Sequence, residues 1–141
     1  MSAGNVNQKT IYILLTHTGS LLSKLIRMYT GSIYTHVSLG LDIELEELYS
    51  FGRLIPNNPF FAGFVKENIR HGTYAYFNNT ICCLYSLNVD EEKYNRLKEN
   101  IYKFGLEKDK YSYNLIGFLG IVINKPVHRK YSFFCSQFVA Y

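Results

Sequence analysis

Polar and apolar residues alternate most cleanly over Thr35–Leu41, which predicts a strand with one core face. The odd positions from Val37 to Leu41 are all apolar, whereas the even positions hold His36, a serine and a glycine. The two small residues leave room above the histidine. The strand therefore presents one face to a core and a second face on which an imidazole can meet other groups.

The same periodicities predict the remaining elements. A helix that begins at Asp90 has the strongest signal, because its apolar side chains recur from Tyr94 to Phe104 at helical spacing above a capping residue. The predicted elements, in chain order, are a strand over Ile11–Thr16, a helix from Ser20 to Gly31, the Thr35–Leu41 strand, a return strand over Glu47–Gly52, a loop over Pro56–Pro59, a hairpin of Thr73–Phe77 and Thr80–Leu87 about Asn78-Asn79, and the helix Asp90–Phe104 closed by Gly105.

Length and composition predict a single domain, residues 1–141, with an ordinary buried core. Hydrophobic residues make up 48% of the chain and charged residues 18%, which is typical of a folded protein. The net charge is +4, and the basic residues of Lys93–Lys110 alternate with acidic ones. A nucleic-acid partner, which needs a clustered basic stripe, is not expected. A mild attraction to an anionic membrane or cell-wall polymer remains allowed.

Cysteine usage and the N-terminus predict a cytoplasmic protein. The chain has 3 Cys, so they cannot form a closed set of disulfides, and Cys82 and Cys83 are adjacent without metal-ligand spacing to a histidine. No apolar segment follows a basic start, so no signal peptide is visible. The longest nearly apolar run, Leu115–Ile123, is too short for a transmembrane segment and predicts a buried segment or the wall of a hydrophobic cleft.

The last segment of the chain places a cysteine at the head of a short apolar run. Phe138 and Val139 follow Cys135 by three and four residues, a spacing that shares one face of a helix. Cys135 would then lie in the first helical turn, where unpaired N–H groups favour a thiolate. The thiolate is the nucleophile of cysteine enzymes, although a free cysteine is more often a small buried hydrophobe.

A cysteine nucleophile needs a base, and near neutral pH that base is a histidine. The chain has 4 His. His17 follows the first strand, His71 lies in a polar segment and His128 lies close to a proline. Only His36 is on a predicted strand with small neighbours on its own face, which makes it the candidate base.

The order of four motifs resembles a known family. A Thr-Gly-Ser turn, a strand opening Thr-His-Val-Ser, a return strand ending Ser-Phe-Gly-Arg and a late Phe-Cys-Ser-Gln-Phe-Val helix follow one another. This arrangement is similar to the circularly permuted branch of the NlpC-type papain-like cysteine hydrolases, which includes YiiX-like bacterial proteins and the lecithin:retinol acyltransferase relatives. In that branch the histidine strand precedes the cysteine helix, as His36 precedes Cys135 here.

The resemblance implies an α+β, papain-like fold in which an antiparallel sheet packs against the helix that bears the cysteine. It assigns Cys135 as the nucleophile and His36 as the base. The family orients its imidazole with a Glu or a second His from the return strand, where this chain places Ser50, with Glu47 or Glu46 as alternatives. The family also continues past the cysteine helix, whereas this chain ends at Tyr141, so a shortened protein and a truncated chain are both consistent with it.

The implied function is hydrolysis of a peptide amide or an ester through a thioester on Cys135, with the Cys135 N–H as one oxyanion donor. No cofactor or metal is implied, and the expected substrate is a peptide or a small lipid-like molecule. A lipid acyltransferase or thioesterase is a related alternative. A different class, a catalytically weak binding module that keeps the papain-like cleft, is favoured by the lack of a carboxylate at Ser50.

Overall fold

The computed structural model describes residues 7–113 and 132–141, which form an α+β structure around a five-stranded antiparallel sheet. The strands that pair in this sheet are β1 (Gln8–His17), β2 (His36–Gly40), β3 (Leu48–Ile55), β4 (Asn58–Glu67) and β5 (Ile81–Asp90). Their spatial order is β4-β3-β2-β1-β5. Two short strands, β6 (Ser112–Tyr113) and β7 (Ser132–Phe133), pair separately and in parallel. The α+β class predicted from the sequence is confirmed.

Four α-helices and one short 3₁₀ helix lie within the described residues. The helices are α1 (Leu21–Thr30), α2 (Gly72–Tyr76), α3 (Glu91–Leu106), the 3₁₀ helix (Lys108–Lys110) and α4 (Cys135–Ala140). The predicted caps are confirmed: the Ser20 side chain accepts the Ser23 N–H, and the Asp90 side chain accepts the Lys93 N–H. Gly31 ends α1 at φ 69°, in the left-handed region where a Cβ would be strained.

One face of the sheet packs against α3 and α4 through aromatic side chains. The buried cluster there consists of Ile11, Leu39, Phe51, Phe64, Ile101, Phe104 and Phe138. Phe51 has no exposed surface, and its ring lies 5.6 Å from that of Phe138 and 5.9 Å from that of Phe104, measured between centroids. This packing fixes α4 against the sheet and thereby determines where Cys135 lies.

The opposite face of the sheet buries polar side chains beside a small apolar cluster. Leu14, Leu48 and Tyr74 form that cluster. The remaining buried side chains of this face are polar: Thr16, Ser38, Ser50 and Glu67. The alternation over Thr35–Leu41 predicted a strand with two distinct faces. Both faces are buried: Ser38 is 0% exposed on one, and Leu39 is 4% exposed on the other.

Several predicted elements differ from the structure. Thr73–Phe77 was expected to be a strand but lies largely in α2, where Gly72 turns the chain at φ 59° and Tyr74 packs under Leu14. The prediction of a hairpin about Asn78-Asn79 is therefore wrong. Strand β5 pairs with β1 instead, over ten residue pairs. Tertiary burial overrides local β propensity here.

Two further differences concern boundaries. Pro56–Pro59 was expected to be a loop, but β4 already begins at Asn58 and pairs with β3 through a tight turn. Helix α3 runs past Gly105 to Leu106. The predicted apolar run Leu115–Ile123 and the position of His128 lie outside the described residues. Within the described residues, no helix is both long and apolar enough to cross a bilayer.

Candidate active site

His36 is the first residue of β2, at the end of the sheet where α4 begins. Its side chain is 19% exposed. The backbone of Gly52 on β3 lies beside it, and a Cβ added at Gly52 would come within 3.3 Å of His36 Cε1. The absence of a side chain at Gly52 is what allows the imidazole and its partner to approach each other.

The partner of the imidazole is Glu67, the last residue of β4. Its Oε2 lies 3.5 Å from His36 Nε2. The register explains this position: Leu48 of β3 pairs with Glu67 on one side and with Gly40 of β2 on the other, so Glu67 shares a sheet face with His36. With 6% of its side chain exposed, this carboxylate is a buried charge.

Three hydroxyl groups stabilise the buried carboxylate. Ser38 and Ser50 donate to Glu67 Oε2 at 2.8 and 2.9 Å, and the Tyr74 hydroxyl donates to the same oxygen at 3.5 Å. Ser38 Oγ also lies 3.3 Å from His36 Nε2. Because the Ser38 proton points to Glu67, its oxygen is free to accept from the imidazole. A buried carboxylate requires such donors, since an ion left without partners in a protein interior is strongly destabilised.

The pKa values follow from this pairing. Burial opposes ionisation of Glu67, but the His36 charge and the donors from His36, Ser38 and Ser50 outweigh it and lower the pKa of the carboxyl. Burial likewise opposes protonation of His36, yet the charges of Glu67 and Cys135 prevail and raise the pKa of the imidazole to about 10. The pair is therefore an imidazolium and a carboxylate at neutral pH.

Cys135 is the first residue of α4 and is 8% exposed. Burial opposes ionisation of the thiol, but the His36 charge, a hydrogen bond with His36 and backbone N–H groups of Val37 and Ser136 together lower its pKa. Glu67 and Ser38 lie at His36 Nε2, which leaves Nδ1 as the ring nitrogen that can face the sulfur. The Gln137 side chain accepts the Phe134 N–H and so holds the start of α4.

The structure brings Cys135 and His36 close enough for their charges to interact, and it places the carboxylate of Glu67 against the ring. Ser50 contacts Glu67 rather than the ring, so the prediction that Ser50 itself orients His36 is not what the geometry shows. Glu47 pairs with Lys66 at 2.8 Å and Glu46 pairs with Arg70 at 3.7 Å. Both alternatives are therefore engaged elsewhere.

Sequence reasoning missed Glu67 because it treated the start of β4 as a loop. The sequence carries no clear local signal for it. Gly63, Val65 and Glu67 occupy one set of alternating positions, and Ala62, Phe64 and Lys66 occupy the other, so each set combines small or apolar residues with one charged residue.

A cavity of about 60 Å³ adjoins the site on the polar face. Its wall includes His36, Gly52 and Glu67 together with apolar side chains from α1 and from β4. The apolar lining residues are Leu22, Ile26, Pro59 and Ala62. A small apolar group of a substrate can therefore lie next to the imidazole.

The other cysteines and candidate ligands lie apart from this site. Cys82 and Cys83 are free thiols on β5, exposed and half-buried respectively. His17 is buried and its Nδ1 lies 3.3 Å from Thr35 Oγ1. Among residues 7–113 and 132–141, no three His, Cys, Asp or Glu side chains are grouped so that they could hold a metal ion.

Comparisons with known proteins give no family assignment. No protein-family model, no curated protein and no solved structure matches this chain.

Proposed function

We propose that the chain is a cysteine hydrolase with a papain-like site of the permuted NlpC type, which cleaves an amide or ester bond through a thioester on Cys135. The observation that carries this proposal is the arrangement of a helix-start thiol, an imidazole and a buried carboxylate in one line of contacts. The two pKa shifts favour a resting thiolate–imidazolium pair, which is the reactive form of such a site.

The mechanism proceeds in two halves. The Cys135 sulfur attacks the substrate carbonyl, and the proton on His36 passes to the leaving amine or alcohol as the C–N or C–O bond breaks. Water then attacks the thioester while His36 takes its proton, and the sulfur leaves as thiolate. The backbone N–H of Cys135 is the proposed donor to the oxyanion in both halves.

Glu67 acts on this cycle through His36. It stabilises the imidazolium and fixes the ring, so that one nitrogen faces the carboxylate and the other faces the sulfur. The alternative of a catalytically weak binding module depended on the lack of a carboxylate near Ser50. Glu67 supplies a carboxylate at that place, which removes the reason for preferring the binding module.

Selective labelling tests the proposal. The protein is treated at pH 7 with a low concentration of iodoacetamide, and the rate at each of the three cysteines is followed by mass spectrometry. We expect Cys135 to react roughly ten-fold faster than Cys82 or Cys83, because its lowered pKa increases the fraction that is thiolate at pH 7. A Cys82→Ser variant is the matched control, and its Cys135 should be labelled at the wild-type rate.

Hydrolysis of an activated ester provides the second readout. The wild-type protein should show a burst of product as the thioester forms, and Cys135→Ser should lose it. Equal labelling of all three cysteines together with no burst would contradict the proposal. It would indicate that Cys135 is an ordinary buried thiol.

A further inference from the structure

One surface of the molecule combines exposed apolar side chains with basic ones. We call it the apolar-basic face; it consists of Leu21, Lys24, Leu25, Arg27 and Met28 of α1 with Ile55, Phe60 and Phe61 of the β3–β4 hairpin. Three of its side chains are almost fully open to solvent: Leu21 is 76% exposed, Met28 78% and Phe60 80%. Contiguous exposure of large apolar residues marks a contact surface.

The helix and the hairpin form this face together. The Arg53 guanidinium on β3 donates to Ser20 Oγ at the N-cap of α1, and also to the Pro56 carbonyl at 3.0 Å. Residues of both elements line the same cavity. Leu21, Leu25 and Met28 follow one another on the solvent side of α1, while Leu22 and Ile26 line the cavity.

The charge on this face has one sign. No Asp or Glu occurs before Asp42 or between Leu48 and Lys66. In the part of the chain that the structure describes, Lys24 and Arg27 have no acidic partner. Burial, then the positive charges of Arg27 and Lys24, lower the pKa of nearby His17.

Helix α3 does not combine exposed apolar side chains with charges of a single sign. Its exposed Tyr102 and Leu106, each 67% exposed, share their helix with acidic and basic residues. Two ion pairs neutralise charge at its start, Lys93 with Asp90 at 2.7 Å and Arg96 with Glu92 at 3.3 Å. An ordinary solvated helix of this chain therefore mixes signs, whereas α1 does not.

We propose that the apolar-basic face docks on the surface of a membrane that contains anionic lipid. Apolar side chains of a short amphipathic helix enter the boundary between headgroups and acyl chains, and flanking Lys and Arg pair with lipid charge. A second copy of the chain fits less well, because a two-fold contact would bring Lys24 and Arg27 against their own equivalents.

Docking in this way would bring the cavity beside His36 close to the lipid. Residues of α1 and of the hairpin both line that cavity. The docking does not rest on the proposed function, since none of its residues belongs to the Cys135 site.

Vesicle sedimentation tests the docking. The protein is mixed with vesicles of phosphatidylcholine alone or of phosphatidylcholine with phosphatidylglycerol, and the bound fraction gives a partition coefficient. We expect binding to the anionic vesicles and a roughly ten-fold loss in Leu21→Ser/Met28→Ser, because two apolar anchors are removed. Lys24→Gln/Arg27→Gln should lose roughly ten-fold as well, and added salt should weaken wild-type binding.

The matched control is Tyr102→Ser/Leu106→Ser, which removes two exposed apolar residues from α3 and should bind as the wild type does. Phe60→Ser repeats the test on the hairpin, and thermal unfolding by circular dichroism verifies that each variant is folded. Cys135→Ala should bind vesicles fully, which separates docking from chemistry.

Three results of the vesicle experiment would overturn the proposal. These are no sedimentation with anionic vesicles, equal binding to both vesicle types, and equal loss in the α1 variants and the α3 control. A wild-type dimer in sedimentation equilibrium that the α1 variants convert to monomer would also overturn it, since a second copy would then cover the face. Selective labelling of Cys135 in the same samples would leave the proposed hydrolase intact.

Discussion

The two faces of the five-stranded sheet are built from the same alternating strands but bury opposite chemistry. One face packs Phe51 and Phe64 against α3 and α4, with ring centroids 5.9 Å apart. The other face buries Ser38, Ser50 and Glu67 around the His36 ring. The proposed nucleophile belongs to the first region through α4, and the proposed base belongs to the second.

This difference separates two tasks. Burial of aromatic rings is driven by the hydrophobic effect, which is strong and non-directional, so it can hold a six-residue helix that would be marginal alone. Hydrogen bonds to a buried carboxylate are directional, so they can fix an imidazole and tune its pKa. We therefore expect changes on the aromatic face to alter stability at every pH, and changes on the polar face to alter pH dependence.

The largest effect should come from Phe51→Ala. Phe51 has no exposed surface and lies at the centre of the aromatic cluster, so its removal should cost about 3–5 kcal/mol of the free energy of unfolding. Urea denaturation at two pH values measures the loss, which should be the same at both. Tyr102→Ala, which changes an exposed ring, should stay within about 0.5 kcal/mol of wild type. A small loss in Phe51→Ala would mean that this face does not carry the fold.

Glu67→Gln should have the second largest effect, about 1–3 kcal/mol, because His36 loses its buried counter-ion but can relieve the imbalance by releasing its proton. The lowered pKa of Glu67 makes its contribution present above the ordinary value of 4.5 and lost as pH falls. The raised pKa of His36 makes its contribution present below 6.5 and lost as pH rises through about 10. The difference in unfolding free energy from wild type should therefore peak between these ordinary values.

A difference that falls neither below pH 4.5 nor as pH rises from 6.5 through about 10 would contradict the ion pair. The same variant should raise the pH midpoint of Cys135 alkylation by about one unit, because a His36 without its carboxylate is less often an imidazolium.

The smallest effect should come from Ser50→Ala, about 1–2 kcal/mol, since Glu67 loses one donor but keeps Ser38 at 2.8 Å. Its alkylation midpoint should move less than that of Glu67→Gln, by under about half a unit. Alkylation kinetics on the two variants side by side give the comparison. A larger shift in Ser50→Ala than in Glu67→Gln would restore Ser50 as the residue that orients the imidazole.

Local pattern predicted the parts of this site that lie on strongly periodic segments. The alternation around His36 and the capped apolar stripe of α3 carry their own signals, because burial on one face leaves a period of two or of 3.6 residues. The two ends of α1 are likewise encoded locally, one by the side-chain cap of Ser20 and the other by the left-handed conformation of Gly31. Each of these features is determined by residues that are close together in the sequence.

The third member of the site depends instead on pairing across strands. Glu67 faces His36 only because β4 pairs with β3 in a register that aligns it with Leu48. Nothing local to Asn58-Pro59 indicates that register, and the turn residues there favour a loop. Tyr74 shows the same limit, since its donation to Glu67 requires α2, which local β propensity opposes.

We expect His36, rather than the helix start, to make Cys135 reactive. A helix N-terminus contributes about 0.3–1 kcal/mol, which is less than one pKa unit at about 1.36 kcal/mol each. An imidazolium at about 4 Å contributes several kcal/mol at an effective dielectric of about 20. The contribution of His36 should therefore dominate.

The most direct measurement is the pH dependence of Cys135 alkylation in wild type, in His36→Ala and in the control His71→Ala, with the fold verified by circular dichroism. We predict a wild-type midpoint below the ordinary thiol value of 9.0, unchanged in His71→Ala and raised by more than about one unit in His36→Ala. A midpoint that is the same in His36→Ala as in wild type would contradict the account, because the thiol would then owe nothing to the imidazole.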